Sequence, residues 1–232
     1  MATNFFTRSP FNQISVLLIA VSTLLTGCNS GTAKVIGIDE AEADISYINA
    51  TDEMTSFYLK KDKLFDNDDE DKLFRDEYIV VRDIQAGQAS SRKEYEFPFI
   101  ENGVHLGVQD SISEVKNRKI SEHLSDNNDL WAIAWQNGNE FELSLIKRKR
   151  SNVDGQYRIR IFSSVNLPVY LNGSSNMATM AEKNKVTSHL SVNNCADSLT
   201  IGEQHIDLCH VDLGSSYLII IDQDKLRLMV KE

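Results

Sequence analysis

The sequence has little of what marks fibrous, disordered or membrane-spanning chains. It contains three prolines and 11 glycines in 232 residues, which excludes a collagen-like repeat and argues against a long flexible stalk. Beyond residue 28, no apolar run approaches the roughly 18 residues that suggest a transmembrane helix. We therefore expect a folded region with no second membrane segment, long enough for one large or two small domains.

Cationic residues are also few, with 24 Lys and Arg against 34 Asp and Glu. Residues 1–27 contain one of these cations, Arg8, and no acid, so the remaining chain carries a net charge of about −11. Such a surface repels the phosphates of nucleic acids. The composition therefore predicts a protein with no nucleic-acid partner.

The first 28 residues have the layout of a secretory signal. Arg8 lies upstream of an apolar run from Ile14 to Leu25, and small residues follow it. The run is 12 residues long, whereas a helix needs about 17–25 to span a bilayer. We expect residues 1–27 to be a cleaved signal peptide.

The tetrapeptide Leu25-Thr26-Gly27-Cys28 resembles a bacterial lipobox. The resemblance implies that Cys28 is acylated, so that the chain is a palmitate-bearing lipoprotein held at the membrane by a tether over 28–32. Asn29 in place of Asp is similar to the sorting pattern of Gram-negative lipoproteins of the outer membrane. Whether the protein faces the periplasm or the exterior is left open. Ordinary cleavage near Gly27, with Cys28 as a spare thiol, is the alternative.

Two further cysteines, Cys195 and Cys209, form an even pair in an oxidising compartment. A disulfide between them would close a loop of about 14 residues and stabilise the fold by about 3 kcal/mol. The alternative is a metal site made of Cys195, His205, Cys209 and His210. Strand parity argues against it, because His210 would point away from His205 and Cys209 in an extended segment.

From Lys34 onward, the apolar residues recur with a period of two, which predicts β-strands. A polar break at 151–156 separates two sets of seven runs, the count and spacing of β-sandwiches. We expect an all-β chain with two tandem antiparallel β-sandwich domains, over 33–150 with long inserted loops and over 157–232, joined by a linker at 151–156. The predicted strands are Ile45–Ala50, Ser56–Lys60, Tyr78–Ile84, Glu94–Phe97, Val104–Val108, Trp131–Gln136, Phe141–Ile146, Tyr157–Phe162, Val169–Leu171, Val186–Val192, Leu199–Ile201, His205–Val211, Tyr217–Ile221 and Leu226–Val230.

One hairpin is especially clear, because two alternating runs flank Asn137-Gly138. Asn-Gly favours a type I′ turn, since both central positions adopt positive φ at low cost. Trp131 and Trp135 alternate with alanines and are expected to pack in the core. Stacking of an exposed Trp135 on a sugar ring is the alternative.

The two halves of the chain resemble each other at both ends. Ile45–Ala50 followed by Phe57–Leu59 is similar to Ile159–Ser164 followed by Val169–Leu171, and each half closes on an aromatic-led hairpin. The first half is longer by about 28 residues, which we assign to the acidic loop near 61–76 and the polar stretch 111–129. The polar stretch is compatible with a short helix around His123.

These motifs resemble the tandem immunoglobulin-like repeats of uncharacterised bacterial envelope proteins, a domain-of-unknown-function family. The resemblance covers most of 33–232 and rests on an opening strand, a short Val/Phe-Tyr-Leu strand and a final hairpin. It implies two immunoglobulin-like sandwiches. It brings no catalytic residues.

The acidic run at 66–71 invites a calcium interpretation, because Asp66, Asp68, Glu70 and Glu77 fall at the first, third, fifth and twelfth positions of an EF-type loop. Asp71 stands where the EF-hand loop requires glycine, and the sequence on either side of the loop does not predict helices. An EF-hand is therefore excluded. A looser calcium site and a solvated loop remain as alternatives.

The basic run Lys147-Arg148-Lys149-Arg150 ends the first half. A linker or edge protected by charge is the expected role, and contact with anionic lipid headgroups is the alternative. No Ser-His-Asp order, phosphate loop or carboxylate pair stands out. We expect a non-catalytic module without a cofactor, anchored through Cys28, that binds a protein or a glycan. A hydrolase and a purely structural envelope protein are the alternatives.

Overall fold

The computed structural model describes residues 40–61, 72–98, 101–196, 198–222 and 225–232. Regular structure in these ranges is β-strand, apart from one 3-10 helix at Asp76–Tyr78. The prediction of an all-β chain with two sandwich-like domains is confirmed. In the described part of the chain, no helix is long and apolar enough to cross a bilayer.

Sandwich 1 has an inner and an outer sheet. β1 pairs with β4, β5 and β8 in the inner sheet, which β9 completes, and the outer sheet has the order β3-β2-β6-β7. Tyr47 and Phe57 are fully buried between the sheets, with ring centroids 5.1 Å apart. The strands are β1 (Glu40–Asn49), β2 (Thr55–Lys61), β3 (Ile79–Ile84), β4 (Gln88–Ala89), β5 (Lys93–Pro98), β6 (Gly103–Asp110), β7 (Asn117–His123), β8 (Asn128–Asn137) and β9 (Glu140–Lys147).

Sandwich 2 repeats this arrangement strand by strand. Its inner sheet pairs β10 with β13, β14 and β17 and ends on β18, and its outer sheet has the order β12-β11-β15-β16. Ile159, Val169 and Ile219 are fully buried in its core. The strands are β10 (Tyr157–Ser163), β11 (Leu167–Leu171), β12 (Met177–Ala181), β13 (Lys185–Val186), β14 (Leu190–Val192), β15 (Leu199–Ile201), β16 (Gln204–His205), β17 (Ser216–Asp222) and β18 (Lys225–Lys231).

The strands of both sandwiches pair antiparallel, except for one equivalent pair in each sandwich. β1 runs parallel to β8, with Ile48 opposite Ile133, and β10 runs parallel to β17, with Phe162 opposite Ile220. The prediction of antiparallel sandwiches missed this pair, because period-two alternation carries no information about strand direction. The same exception at equivalent positions supports the internal repeat seen in the sequence.

The inner sheets of the two sandwiches pack against each other. A separate apolar cluster joins Trp131, Ile133 and Trp135 of sandwich 1 to Phe162 and Ile220 of sandwich 2. Both faces of each inner sheet are therefore buried, which explains the continuous apolar runs in β8 and β17. The four sheets form a stack of four layers, and the outer sheets are its ends.

The contact between the sandwiches is isologous, because equivalent positions meet across it. Gly87 and Asn184 stand just before β4 and β13, at φ +70° and +56°. Their N–H groups donate to the carbonyls of Asn49 and Ser163, each at 2.8 Å. Asn184 accepts a hydrogen bond from Ser144 of the other sandwich. Gly87 likewise lies against Arg227, where an added Cβ would be 2.9 Å from the carbonyl oxygen.

Several predicted elements differ in the structure. The strand predicted at His205–Val211 is limited to Gln204–His205, and Ile206 and Leu208 are buried in the core instead. The interpretation of the region around His123 as a short helix is wrong, because this region forms β7. β7 is exposed along nearly its whole length, so no apolar alternation marks it. The same lack of pattern hid β4 and β12.

The β8–β9 hairpin is shifted by one residue from the prediction. Asn137 pairs with Glu140, so the turn residues are Gly138 and Asn139 rather than Asn137 and Gly138. Gly138 has φ +66° at the first central position, the position that a type II′ turn reserves for glycine.

Asp110 organises the loop between β6 and β7. Its buried carboxylate accepts N–H bonds from residues 112–116 and a bond from the Ser113 hydroxyl at 2.8 Å. Burial alone would raise the pKa of Asp110, but these donors outweigh it and lower the pKa from 3.8 to about 2. The loop holds Ile112 and Val115 at 80% and 77% exposure.

We expect the Asp110 carboxylate to stabilise the fold by about 2 kcal/mol near neutral pH. Because its pKa is lower in the folded chain than in the unfolded chain, this stability is complete above about pH 4 and is lost as the pH falls towards 2. Urea unfolding of the wild type and of Asp110→Asn at pH 7 and pH 3 measures this contribution to the free energy of unfolding. Equal stability of the two proteins at pH 7 would contradict the expectation.

Candidate functional site

Some residues predicted to form sites lie outside the described part of the chain. These are the acylation candidate Cys28 and the calcium candidates Asp66, Asp68 and Glu70. Glu77, the last position of the proposed calcium loop, lies in the 3-10 helix. Its exposed carboxylate is 3.9 Å from Arg75 Nη1.

The disulfide between Cys195 and Cys209 is present. The sulfur atoms of the two cysteines are bonded to each other and cannot serve as thiolate ligands, so the alternative metal site with His205 and His210 is wrong. His205 instead places Nδ1 3.1 Å from the Thr200 hydroxyl. His210 lies exposed in a turn.

Trp135 packs inside the molecule and is 3% exposed. Its ring contacts Phe162 edge-on at 6.1 Å, and its Nε1 donates to the Ser144 hydroxyl at 2.9 Å. The sugar-stacking alternative is therefore wrong, and the prediction that the tryptophans serve packing is confirmed.

The basic run is partly drawn into the junction between the sandwiches. The Arg148 guanidinium lies 4.4 Å from the centre of the Trp131 ring and donates to the Lys231 carbonyl at 2.8 Å. Lys149 donates its N–H to Glu232 at 3.1 Å. These contacts favour the linker role of the run over a continuous basic patch.

A buried ion pair fixes the same junction. Arg160 Nη1 donates to Glu232 Oε1 at 2.7 Å and to the Lys147 carbonyl at 2.9 Å. Arg160 and Glu232 are only 5% and 4% exposed. His189 donates to the Lys149 carbonyl at 3.0 Å, and burial lowers its pKa, which keeps the ring neutral at pH 7. The contacts of this cluster hold strands and linker together, which is a structural role.

One group of acids converges elsewhere in the described residues. Carboxylate oxygens of Glu42, Glu94 and Glu96 lie within 4.8 Å of one another, and all three residues are exposed. Exposed acidic groups of this kind are common on a chain as acidic as this one, and we assign no site to them.

The outer sheet of sandwich 2 presents an apolar surface to solvent. β11 directs Val169 into the core, so its neighbours Pro168 and Tyr170 face outward. In register, Tyr170 lies between Met177 and Thr200, and Pro168 lies beside Met180. We call these five residues the distal face.

Met177 and Met180 are 52% and 40% exposed on the distal face. A cleft of about 610 Å³ opens where this face meets the β15–β16 turn, and it is lined by Leu167, Pro168, Tyr170, Gly202, Glu203 and Gln204. Two exposed methionines and a half-buried tyrosine beside a cleft are suited to binding rather than to acid–base chemistry.

The equivalent face of sandwich 1 is covered by the chain itself. Tyr58 occupies the place of Tyr170, between Ile79 and Gly107 in register. Leu73, 1% exposed, lies over this face, and the Phe74 ring contacts Tyr58 edge-on at 5.2 Å. We call residues 72–78 the cover. Residues 72–78, from the extra length of the first half, thus bury the outer face around Tyr58, whereas no segment among the described residues covers the distal face.

Gly107 makes room for the cover. An added Cβ there would be 2.8 Å from Phe74 Cε1 and 2.9 Å from Leu73 Cδ2. Thr200 holds the equivalent position in sandwich 2. Its side chain takes up the space that Gly107 leaves for Leu73 and Phe74 in sandwich 1.

We expect Gly107→Val to displace the cover and to destabilise the protein by about 1–2 kcal/mol, because overpacking outweighs the gain in strand propensity. Urea unfolding measures the loss, and faster trypsin cleavage at Lys72 or Arg75 reports the displacement. The matched control is Thr200→Val at the equivalent position, which should change neither the free energy of unfolding nor the rate of trypsin cleavage by much. Unchanged cleavage of Gly107→Val would contradict the expected displacement.

Sequence reasoning missed the methionines of the distal face, because β12 carries no clear alternation. Two signals pointed towards it. Val169-Tyr170-Leu171 matches Phe57-Tyr58-Leu59, and residues 169–181 carry no charged side chain in a chain that is 25% charged. A comparison with protein-family models finds no match for this chain, and a search of curated proteins finds no similar sequence.

Proposed function

We propose that this protein is an outer-membrane lipoprotein of the bacterial envelope, anchored through acylated Cys28, that acts as a non-catalytic binding module. Its partner, a protein or a glycan, docks on the distal face of sandwich 2. The observation that carries the proposal is the difference between equivalent faces. Leu73 and Phe74 bury the outer face of sandwich 1, whereas Met177 and Met180 leave that of sandwich 2 open.

The physical reason is that exposed apolar surface is unfavourable in water. Burying it contributes about 25 cal/mol per Å², and a contiguous apolar patch on a monomer is often a binding surface. The interface between the sandwiches involves the inner sheets, so the distal face stays accessible at the end of the stack.

The anchor supports the same function. A single acyl chain binds a membrane marginally, so several chains on Cys28 would hold the module durably. Labelling with palmitate tests this, with incorporation expected in the wild type and lost in Cys28→Ala. Equal labelling of the two proteins would overturn the anchoring.

Photo-crosslinking in living cells tests the docking surface. We expect a crosslinker placed at Met180 to give a defined adduct, whereas one at exposed Glu122 of β7 should give none. Adding Met177→Glu should abolish the adduct by placing a charge in the contact. Persistence of the adduct in that variant, or its equal formation from Glu122, would overturn the docking surface.

A further inference from the structure

The distal face carries two methionine side chains that a regular strand could not place together. Residues three apart on a strand point to opposite sides of the sheet. β12 contains a bulge at Ala178, where its register with β11 shifts by one residue. Met177 therefore pairs with Tyr170 and Met180 with Pro168. Both methionines lie on the outer side of the sheet, at 52% and 40% exposure.

The other methionines of the described residues are less accessible. Met229 packs against the core of sandwich 2. Met54 is half-buried, and its sulfur atom accepts a hydrogen bond from Gln85 Nε2 at 2.8 Å. Oxidation of a methionine requires that the oxidant reach its sulfur atom. Met177 and Met180 are thus the methionines that a dissolved oxidant meets most readily.

No free thiol in the described part of the chain competes with these two thioethers. The cysteines of that part, Cys195 and Cys209, are bonded to each other. Disulfides of this kind persist in oxidising compartments. An oxidant that reaches the folded chain there therefore acts on the exposed methionine sulfur atoms.

We propose that Met177 and Met180 are sites of reversible oxidation by oxidants of the peroxide class, which changes the distal face from apolar to polar. The sulfur atom of each thioether takes one oxygen atom from the peroxide as the O–O bond breaks. Sulfur loses two electrons and the peroxide gains them. The proton released from the transferred hydroxyl group passes to the departing oxygen, which leaves as water. A dithiol-dependent reductase reverses the step, because the dithiol becomes a disulfide and the sulfoxide oxygen leaves as water.

The change in polarity is large because the surrounding segment is uncharged. Residues 169–181 carry no charged side chain, and each sulfoxide adds a dipole and a hydrogen-bond acceptor to this surface. Neither methionine belongs to the core of sandwich 2, so the fold does not depend on their apolar sulfur atoms. A partner that docks on the oxidised face would remove the sulfoxides from water, which costs free energy. Oxidation therefore weakens docking, an inference that rests on the proposed function and names a regulation of the same surface.

Peptide mapping by mass spectrometry measures the selectivity of oxidation. The full-length acylated protein in detergent is treated with hydrogen peroxide for increasing times. We expect a mass gain of about 16 Da on Met177 and Met180 roughly tenfold faster than on Met54 and Met229. The urea midpoint of the protein should not change once the two exposed methionines are oxidised. Equal oxidation rates at Met54 or Met229, or unfolding of the oxidised protein, would overturn the inference.

Photo-crosslinking in living cells measures the effect on docking. The crosslinker is placed at Thr200, a residue of the distal face, so that both methionines stay in the chain. A brief pulse of hydrogen peroxide should reduce the yield of the adduct roughly tenfold. The matched control carries Met177→Leu and Met180→Leu, because leucine takes up no oxygen. Whatever the starting yield of this control, its adduct should not respond to the pulse.

The outcomes separate the two proposals. An adduct that persists in the wild type after both methionines are oxidised, or an equal loss in the leucine control, would overturn the regulation and leave the docking surface standing. If no adduct forms from Thr200 in untreated cells, the docking surface is wrong and its regulation falls with it. Mass spectrometry still decides in that case whether Met177 and Met180 are the sites of oxidation.

Discussion

Arg160→Met is expected to destabilise the protein by about 3–5 kcal/mol, because it leaves the Glu232 carboxylate buried without its cation. Arg160 and Glu232 are 5% and 4% exposed, and their 2.7 Å contact is shielded from solvent. The nearest imidazole, His189, is 3.7 Å from the other carboxylate oxygen and is kept neutral by burial, which lowers its pKa. Urea unfolding at pH 7 gives the change in the free energy of unfolding.

The double variant Arg160→Met, Glu232→Met tests the cause of that loss. A buried ion pair replaced as a whole by apolar side chains often costs little, so the double variant should recover most of the stability. If it were as unstable as the single variant, lost packing rather than an unpaired charge would be the cause. The single variant should also free Lys147 and Lys149, which both contact this pair, and so speed trypsin cleavage of the linker.

Trp135→Ala is expected to cost about 3–5 kcal/mol and to uncouple the two sandwiches. Trp135 is one of the two tryptophans in the cluster between the inner sheets, where its ring centre lies 6.1 Å from that of Phe162. Removing it opens a cavity between two rigid sheets that cannot collapse to fill it. We expect the single cooperative unfolding transition of the wild type to separate into two.

Differential scanning calorimetry measures this change, and Phe162→Ala on the facing sheet should have a similar effect. Ile112→Ala is the matched control, because Ile112 is 80% exposed on its loop. This control should change stability by less than about 0.5 kcal/mol. A single unshifted transition in Trp135→Ala would show that the inner sheets do not hold the sandwiches together.

The proposed docking surface follows from the same arrangement. The inner sheets bury one face of each sandwich, so each sandwich turns its outer sheet to solvent, and residues 72–78 cover part of the outer sheet of sandwich 1. This arrangement is the reason why the proposed docking surface is placed on the distal face.

The features of the fold that have a local cause could be predicted from the sequence. Period-two alternation predicted the strands, because side chains of a strand alternate between core and solvent. Trp131 and Trp135 were assigned to packing, the even cysteine pair was assigned to a disulfide, and the matched motifs of the two halves indicated a duplication. Each of these depends on neighbours in sequence or on composition.

How the strands pair and which faces are covered depends on long-range contacts that could not be predicted from the sequence. Strand direction, and hence the parallel β1–β8 and β10–β17 pairs, depends on partners 85 and 58 residues away that leave no periodic trace in the sequence. β12 was hidden for a related reason, since its outward Met177 and Met180 look like core residues that lack a pattern. Tyr58 and Tyr170 hold equivalent positions in register, yet Tyr58 is buried beneath Phe74 whereas Tyr170 is only half-buried. This difference depends on Leu73 and Phe74, which only the folded chain brings over the outer sheet.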